Sequence, residues 1–222
     1  MIGIEFVPND FKEDIKLLEE LKTLLDFDFI LLPDNPAFQI KPSSIVCAKM
    51  LGDSLGINTI ACISGSGKSI EVISSLLLGA KYACLKGIAC VSGDRSEVSA
   101  LRILSEARKL DFELVFSSPN DLKEKIALGL THCITQPLYE EIPTSFDFPT
   151  LINFMPIFSP NTFDSIQSSK LGLHIPKSYQ ESEDLMQSNQ QIYSTIKERD
   201  FYLTPLNLKR QMPYLKSLLL ER

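Results

Sequence analysis

Eight times along this chain a short run rich in β-branched or aromatic residues gives way to a stretch with helical periodicity. Such alternation restricts the fold more than any other feature, because parallel strands need helical crossovers and eight such units close on themselves as a (β/α)8 barrel. The runs end at Glu5, Asp34-Asn35, Ser64, Asp94, Ser117-Ser118, Gln136, Ser159 and Thr204-Asn207. Polar groups therefore gather where a barrel would collect reactive groups from distant parts of the sequence, at the C-terminal ends of its strands.

The expected architecture is a single compact (β/α)8 TIM barrel, one domain over residues 1–222. Such barrels typically need about 250 residues, with roughly 200 near the floor, so its loops must be short. A net charge of −6 with no basic stripe argues against a nucleic-acid surface. The N-terminal MIGIEFVPND reads directly as a strand without a signal peptide's basic flank, and no apolar run is long enough to span a bilayer. Cys47, Cys62, Cys84, Cys90 and Cys133 are odd in number, sit in apolar contexts and form no CxxC pair. They read as reduced, buried thiols of a cytoplasmic protein.

Local signals set the expected elements. Strands are read at Ile2 to Val7, Phe27 to Leu32, Asn58 to Ile63, Ile88 to Val91, Phe112 to Phe116, Thr131 to Thr135, Leu151 to Ile157 and Asp200 to Thr204. Asn9 or Asp10 can cap a first helix, Ser43 a second that Gly56 closes near Leu55, and Gly129 ends a helix over Asn120 to Leu128. Further helices are expected over Ile70 to Leu85, Glu97 to Lys109, Asn161 to Leu171 with Gly172 as its stop, Ser182 to Lys197 and Leu208 to Leu220.

Several residues could carry chemistry. Glu5 lies inside a strand pattern, where a carboxylate is unfavourable unless it faces a polar pocket; it reads as an acid of raised pKa or as a strand-end Glu paired with a lysine. Asp94, in Ser92-Gly93-Asp94-Arg95, either projects onto the rim or caps the next helix. Gln136 ends the sixth strand with an amide suited to a heterocycle edge. Ser64-Gly65-Ser66-Gly67-Lys68-Ser69 is not a Walker A loop, since Cys62 stands where its first glycine belongs; the turn is either a backbone phosphate site or merely flexible. His132 and His174 have no metal partner by spacing.

Taken in order, Ile4-Glu5-Phe6-Val7-Pro8, Asp34-Asn35-Pro36, Ser92-Gly93-Asp94-Arg95, Ile134-Thr135-Gln136 and Phe154-Met155-Pro156-Ile157 resemble the methylenetetrahydrofolate reductase family. Gly172-Leu173-His174-Ile175-Pro176 and Tyr202-Leu203-Thr204-Pro205-Leu206-Asn207 carry the likeness almost to the C-terminus.

The resemblance implies a flavin-dependent barrel of one-carbon metabolism that reduces 5,10-methylenetetrahydrofolate to 5-methyltetrahydrofolate, with FAD as cofactor and NADH or NADPH as electron donor. It implies that Glu5 is the catalytic acid, that Asp94 lies near the flavin and pterin rings, that Gln136 contacts folate and that Lys125 meets the flavin phosphate. Against the family pattern, Ser64 to Ser69 replaces the more characteristic segment after the third strand and puts Cys62 where a flavin-contacting histidine is common. The alternative is a non-catalytic relative that binds folate or flavin as a sensor or accessory subunit. A homo-oligomer is compatible with either.

Overall fold

The computed structural model describes residues 1–93, 97–168 and 173–220. Its eight strands are β1 (Ile2–Glu5), β2 (Phe29–Leu32), β3 (Asn58–Ser64), β4 (Gly87–Val91), β5 (Leu114–Ser117), β6 (His132–Pro137), β7 (Thr150–Phe154) and β8 (Phe201–Leu203). All neighbours pair in parallel in sequence order, and β1 also pairs with β8, so the sheet closes as the (β/α)8 barrel that the alternation predicts.

The helices are α1 (Phe11–Lys22), α2 (Ser44–Leu55), α3 (Ile70–Tyr82), α4 (Ala100–Ala107), α5 (Leu122–Ala127), α6 (Asn161–Ser168), α7 (Lys177–Gln180), α8 (Leu185–Ile196) and α9 (Leu208–Leu220). Asp10 caps α1 by accepting from the Lys12 and Glu13 amides, and Gly56 ends α2 at φ 63°, the left-handed conformation that glycine adopts without strain. Several bounds differ from expectation for local reasons. Helix α4 starts at Ala100 because Ser99 caps it, α8 starts at Leu185 because Asp184 does, and α7 is a single turn with no periodicity to betray it. Strand β7 stops at Phe154, two residues before Pro156, which has no amide to give a ladder. The expected end of α6 at Leu171 and Gly172 lies outside the described residues.

Strand residues alternate between two apolar layers, as a period of two dictates. Phe29, Leu31, Ile60, Cys62, Ala89, Phe116, Leu151 and Tyr202 pack against one another and fill the barrel. Their neighbours Ile30, Leu32, Ala61, Ile63, Ile88, Cys90, Ile152, Phe154, Phe201 and Leu203 face the helices and join the larger outer core. Phe29 lies 4.9 Å from Phe116 and 6.3 Å from Tyr202, ring centre to ring centre, so three aromatics cross the barrel. Gly3 makes room for them, since a Cβ there would stand 2.2 Å from Phe29 Cζ.

All five cysteines are free, but the expectation that all are buried holds only in part: Cys47 is half-buried, and Cys84 is exposed in the turn after α3 at φ 56°. Among the described residues no helix is long and apolar enough to cross a membrane, and no cluster of His, Cys, Asp and Glu has the makings of a metal site.

Candidate functional site

A cavity of about 670 Å³ opens at the C-terminal mouth of the barrel. Glu5, Gln136, Asn153 and Thr204 reach it from four strands or strand ends, and Phe6, Leu17, Pro137, Met155, Leu173 and Leu206 supply apolar wall. The volume lies within the ~300–1,000 Å³ usual for a small-molecule site, and apolar walls with a few convergent polar groups are its usual lining.

The strands position the polar groups by inward alternation. Glu5 is the second inward residue of β1 after Gly3, and its Oε2 accepts from Tyr202 Oη at 3.1 Å. Burial is the larger influence and raises the Glu5 pKa above its ordinary value of 4.5, against the pull of the Tyr202 hydrogen bond. The same burial, with the Glu5 carboxyl beside it, holds the Tyr202 phenol well above its ordinary range, so Tyr202 remains a donor. Glu5 is therefore an acid with a buried hydroxyl partner, and among the described residues no lysine pairs with it.

Gln136 reaches the cavity from the end of β6, two residues beyond Ile134, which packs against the barrel interior. The register of β6 against β7 shifts between Ile134 and Pro137, and Thr135 Oγ1 replaces a backbone acceptor by receiving the Asn153 amide at 2.9 Å. Beyond β7, Tyr139 Oη donates to the Met155 carbonyl at 3.0 Å, and the fully buried Asn189 donates to the Ile157 carbonyl at 2.9 Å. These bonds brace the Met155 wall.

The remaining candidates within the described residues lie elsewhere. Asp94 and Arg95 lie outside the described residues; β4 ends at Val91, and Ser92 Oγ accepts from the Ala100 amide at 2.9 Å. Cys62 packs within the barrel's apolar interior, where burial pushes its thiol up to about 12. Ser64 is buried, and its amide donates to Asp34 Oδ2 at 3.0 Å. The Gly-rich turn satisfies itself: the Gly65 amide bonds the Val91 carbonyl, the Ser66 amide bonds Ser64 Oγ, and Lys68 pairs with Asp34 at 2.9 Å while donating to the Ser64 carbonyl. The Ser64, Gly65 and Ser66 amides and the Lys68 ammonium are thus engaged within the protein. Lys125 is buried too, with Nζ donating to Ser118 O at 2.9 Å and Ser118 Oγ at 3.0 Å, and burial lowers its pKa. As placed, Cys62, Ser64 and Lys125 do not fit a flavin: none lines the cavity, and their polar atoms are bonded within the protein or packed in apolar surroundings.

Asn153 and Thr204 complete the mouth. Thr204 stands out in the sequence as a strand end, whereas Asn153 hides between Ile152 and Phe154 in an apolar run. Inward alternation from Leu151 was the signal that could have found it.

The sequence matches no protein-family model and no curated protein. Solved structures do match. An uncharacterized protein from Clostridium thermocellum that binds two copies of 5-methyl-5,6,7,8-tetrahydrofolic acid aligns over 99% of this chain and 93% of its own, with a TM-score of 0.71 and 13% identity. A 2,3-dimethylmalate lyase of the PEP mutase/isocitrate lyase superfamily aligns over 98% of this chain and 78% of its own, with a TM-score of 0.55 and 9% identity. Oxaloacetate acetylhydrolase, in complex with the inhibitor 3,3-difluorooxalacetate, aligns over 91% and 74%, with a TM-score of 0.53 and 9% identity. At these identities the likeness establishes the barrel fold.

Proposed function

We propose that this barrel binds a reduced folate, with the pterin ring in the mouth of the barrel against Glu5, Gln136 and Asn153. The observation that carries the reading is Glu5: an acid of raised pKa, held by Tyr202, facing a cavity whose other inward polar groups include two carboxamides. A pterin edge presents a ring carbonyl beside N–H groups, and carboxamides with a protonated acid supply both donors and acceptors for it. The folate bound by the Clostridium thermocellum barrel of similar fold supports the same ligand class. Lys41 lines the rim and has no ion pair among the described residues, which suits it to the carboxylates of a folate tail.

The test is titration calorimetry with 5-methyltetrahydrofolate. Saturable binding that weakens when Gln136 or Asn153 is replaced by leucine supports the reading, and absence of heat up to the solubility limit of the ligand overturns it.

A second reading rests on the same carboxyl. An acid whose burial raises its hold on the proton can deliver it to a folate ring nitrogen as a carbon–nitrogen bond opens, which is the acid step of a methylenetetrahydrofolate reductase. In that reading FAD, reduced by NADH or NADPH, would supply the hydride. The placement of Cys62, Ser64 and Lys125 favours the non-catalytic folate binder over the flavoenzyme. A flavin absorbance that bleaches with NADH or NADPH and returns with methylenetetrahydrofolate would reverse that preference.

A further inference from the structure

Strand β8 places a hydroxyl on each of its neighbours. Tyr202 donates to Glu5 on β1, and Thr204, just past the end of β8, donates through Oγ1 to Asn153 Oδ1 on β7 at 2.8 Å. The Asn153 backbone is fixed on both sides, its amide by Thr135 Oγ1 and its carbonyl by the Leu138 amide at 3.0 Å. The side chain, only 9% exposed, therefore has a fixed root, and the Thr204 hydroxyl claims its oxygen.

That leaves the nitrogen. Asn153 Nδ2 has no hydrogen-bond partner among the described residues, yet the one sealed side-chain polar atom without a partner among them is Gln211 Oε1. Nδ2 therefore opens onto the cavity that Asn153 lines. A carboxamide can present either end to a ligand, and in this arrangement the Thr204 hydroxyl donates to the oxygen end. Here the donor end faces the cavity.

We propose that Asn153, held by Thr204, selects the oxo form of a pterin ring over its 4-amino form; this rests on the folate reading above. A ring carbonyl completes the orphan Nδ2 donor. A 4-amino group sets donor against donor, and sites built around one hydrogen bond reject analogues that lack it. Thr204 is a positioning residue, and Asn153 is the residue that touches the ligand.

The matched probes are 5-methyltetrahydrofolate and its 4-amino counterpart, titrated calorimetrically into the wild-type chain and the Thr204→Val and Asn153→Asp variants, each checked for folding by circular dichroism. The wild type should favour the oxo ligand on the order of tenfold. Thr204→Val keeps the side-chain volume but frees the carboxamide to turn, so the preference should shrink to about threefold or less. Asn153→Asp places an acceptor where the donor stood and should invert the preference, which also tests the inference should Thr204→Val fail to fold. If Asn153→Asp still favours the oxo ligand, or a folded Thr204→Val keeps the full wild-type preference, Asn153 does not read the ring and the inference fails while folate binding stands. If the wild type binds neither probe, the folate reading itself falls, and the selectivity with it.

Discussion

The Tyr202 hydroxyl lies 3.1 Å from Glu5 Oε2, joining the last strand of the barrel to the first at the floor of the mouth. Tyrosine is a neutral partner, so the carboxyl gains a hydrogen bond without a compensating charge. Burial then outweighs that bond and keeps the proton on Glu5 above the usual carboxylate range.

Glu5→Gln should make the protein more stable at neutral pH. Between 4.5 and its raised native pKa, Glu5 holds a proton in the folded state that the unfolded chain has released, so stability falls as pH rises through that window. Glutamine removes the penalty, which amounts to ~1.4 kcal/mol for every tenfold by which folding tightens the hold of Glu5 on its proton. Urea denaturation at pH 7.5 should show the gain, and at pH 4 the variant and wild type should converge. Folate affinity should change by less than about fivefold, since the amide imitates the protonated acid, whereas any reductase turnover should disappear.

Tyr202→Phe should move the titration of Glu5 further upward. The phenol stabilises the carboxylate, so its loss favours the protonated form, and the Glu5 carboxyl resonance followed by NMR should titrate at higher pH than in the wild type. The lost bond should also cost about 1 kcal/mol of stability. A titration that moves downward would show that Tyr202 does not act on Glu5 as a donor.

Lys68→Met should destabilise the fold without altering phosphate affinity. Lys68 and Asp34 form an ion pair at 2.9 Å with side chains only 18% and 11% exposed, and methionine leaves the Asp34 carboxylate with donors at Ser64 and Asn35 alone among the described residues. Loss of the charged partner should cost about 1–3 kcal/mol in a urea melt. Inorganic phosphate should raise the melting temperature of neither protein, because Asp34 and the Ser64 carbonyl already hold the Lys68 ammonium and the Gly65 and Ser66 amides are engaged.

Gly3→Ala should cost about 1–3 kcal/mol through overpacking. The added methyl meets the Phe29 ring at 2.2 Å, and that ring is wedged against Phe116 and Tyr202. Phe29→Leu should recover part of the loss in the double variant, a non-additivity that a thermodynamic cycle measures.

The barrel was legible because each strand is a short β-rich run closed by polar or turn residues, and because helix stops such as Gly56 have one conformational meaning. Glu5 and Gln136 stood out as polar residues at strand ends, and both line the mouth. Asn153 did not, since the run from Leu151 to Ile157 reads as uniformly apolar until one asks which residues point inward. Lys68 and Lys125 illustrate the opposite difficulty. The glycines before Lys68 and the family resemblance at Lys125 each suggested a phosphate, but only coordinates reveal that Asp34 and Ser118 hold the two ammonium groups.

Because both orienting hydroxyls come from the eighth strand and the residue after it, the binding floor does not exist in any shorter nascent chain. Seven strands can leave the ribosome and begin to pack, but Glu5 and Asn153 acquire their fixed orientations only when Tyr202 and Thr204 emerge. Any ligand that the mouth takes up would thereby have to wait until the barrel is ready to close.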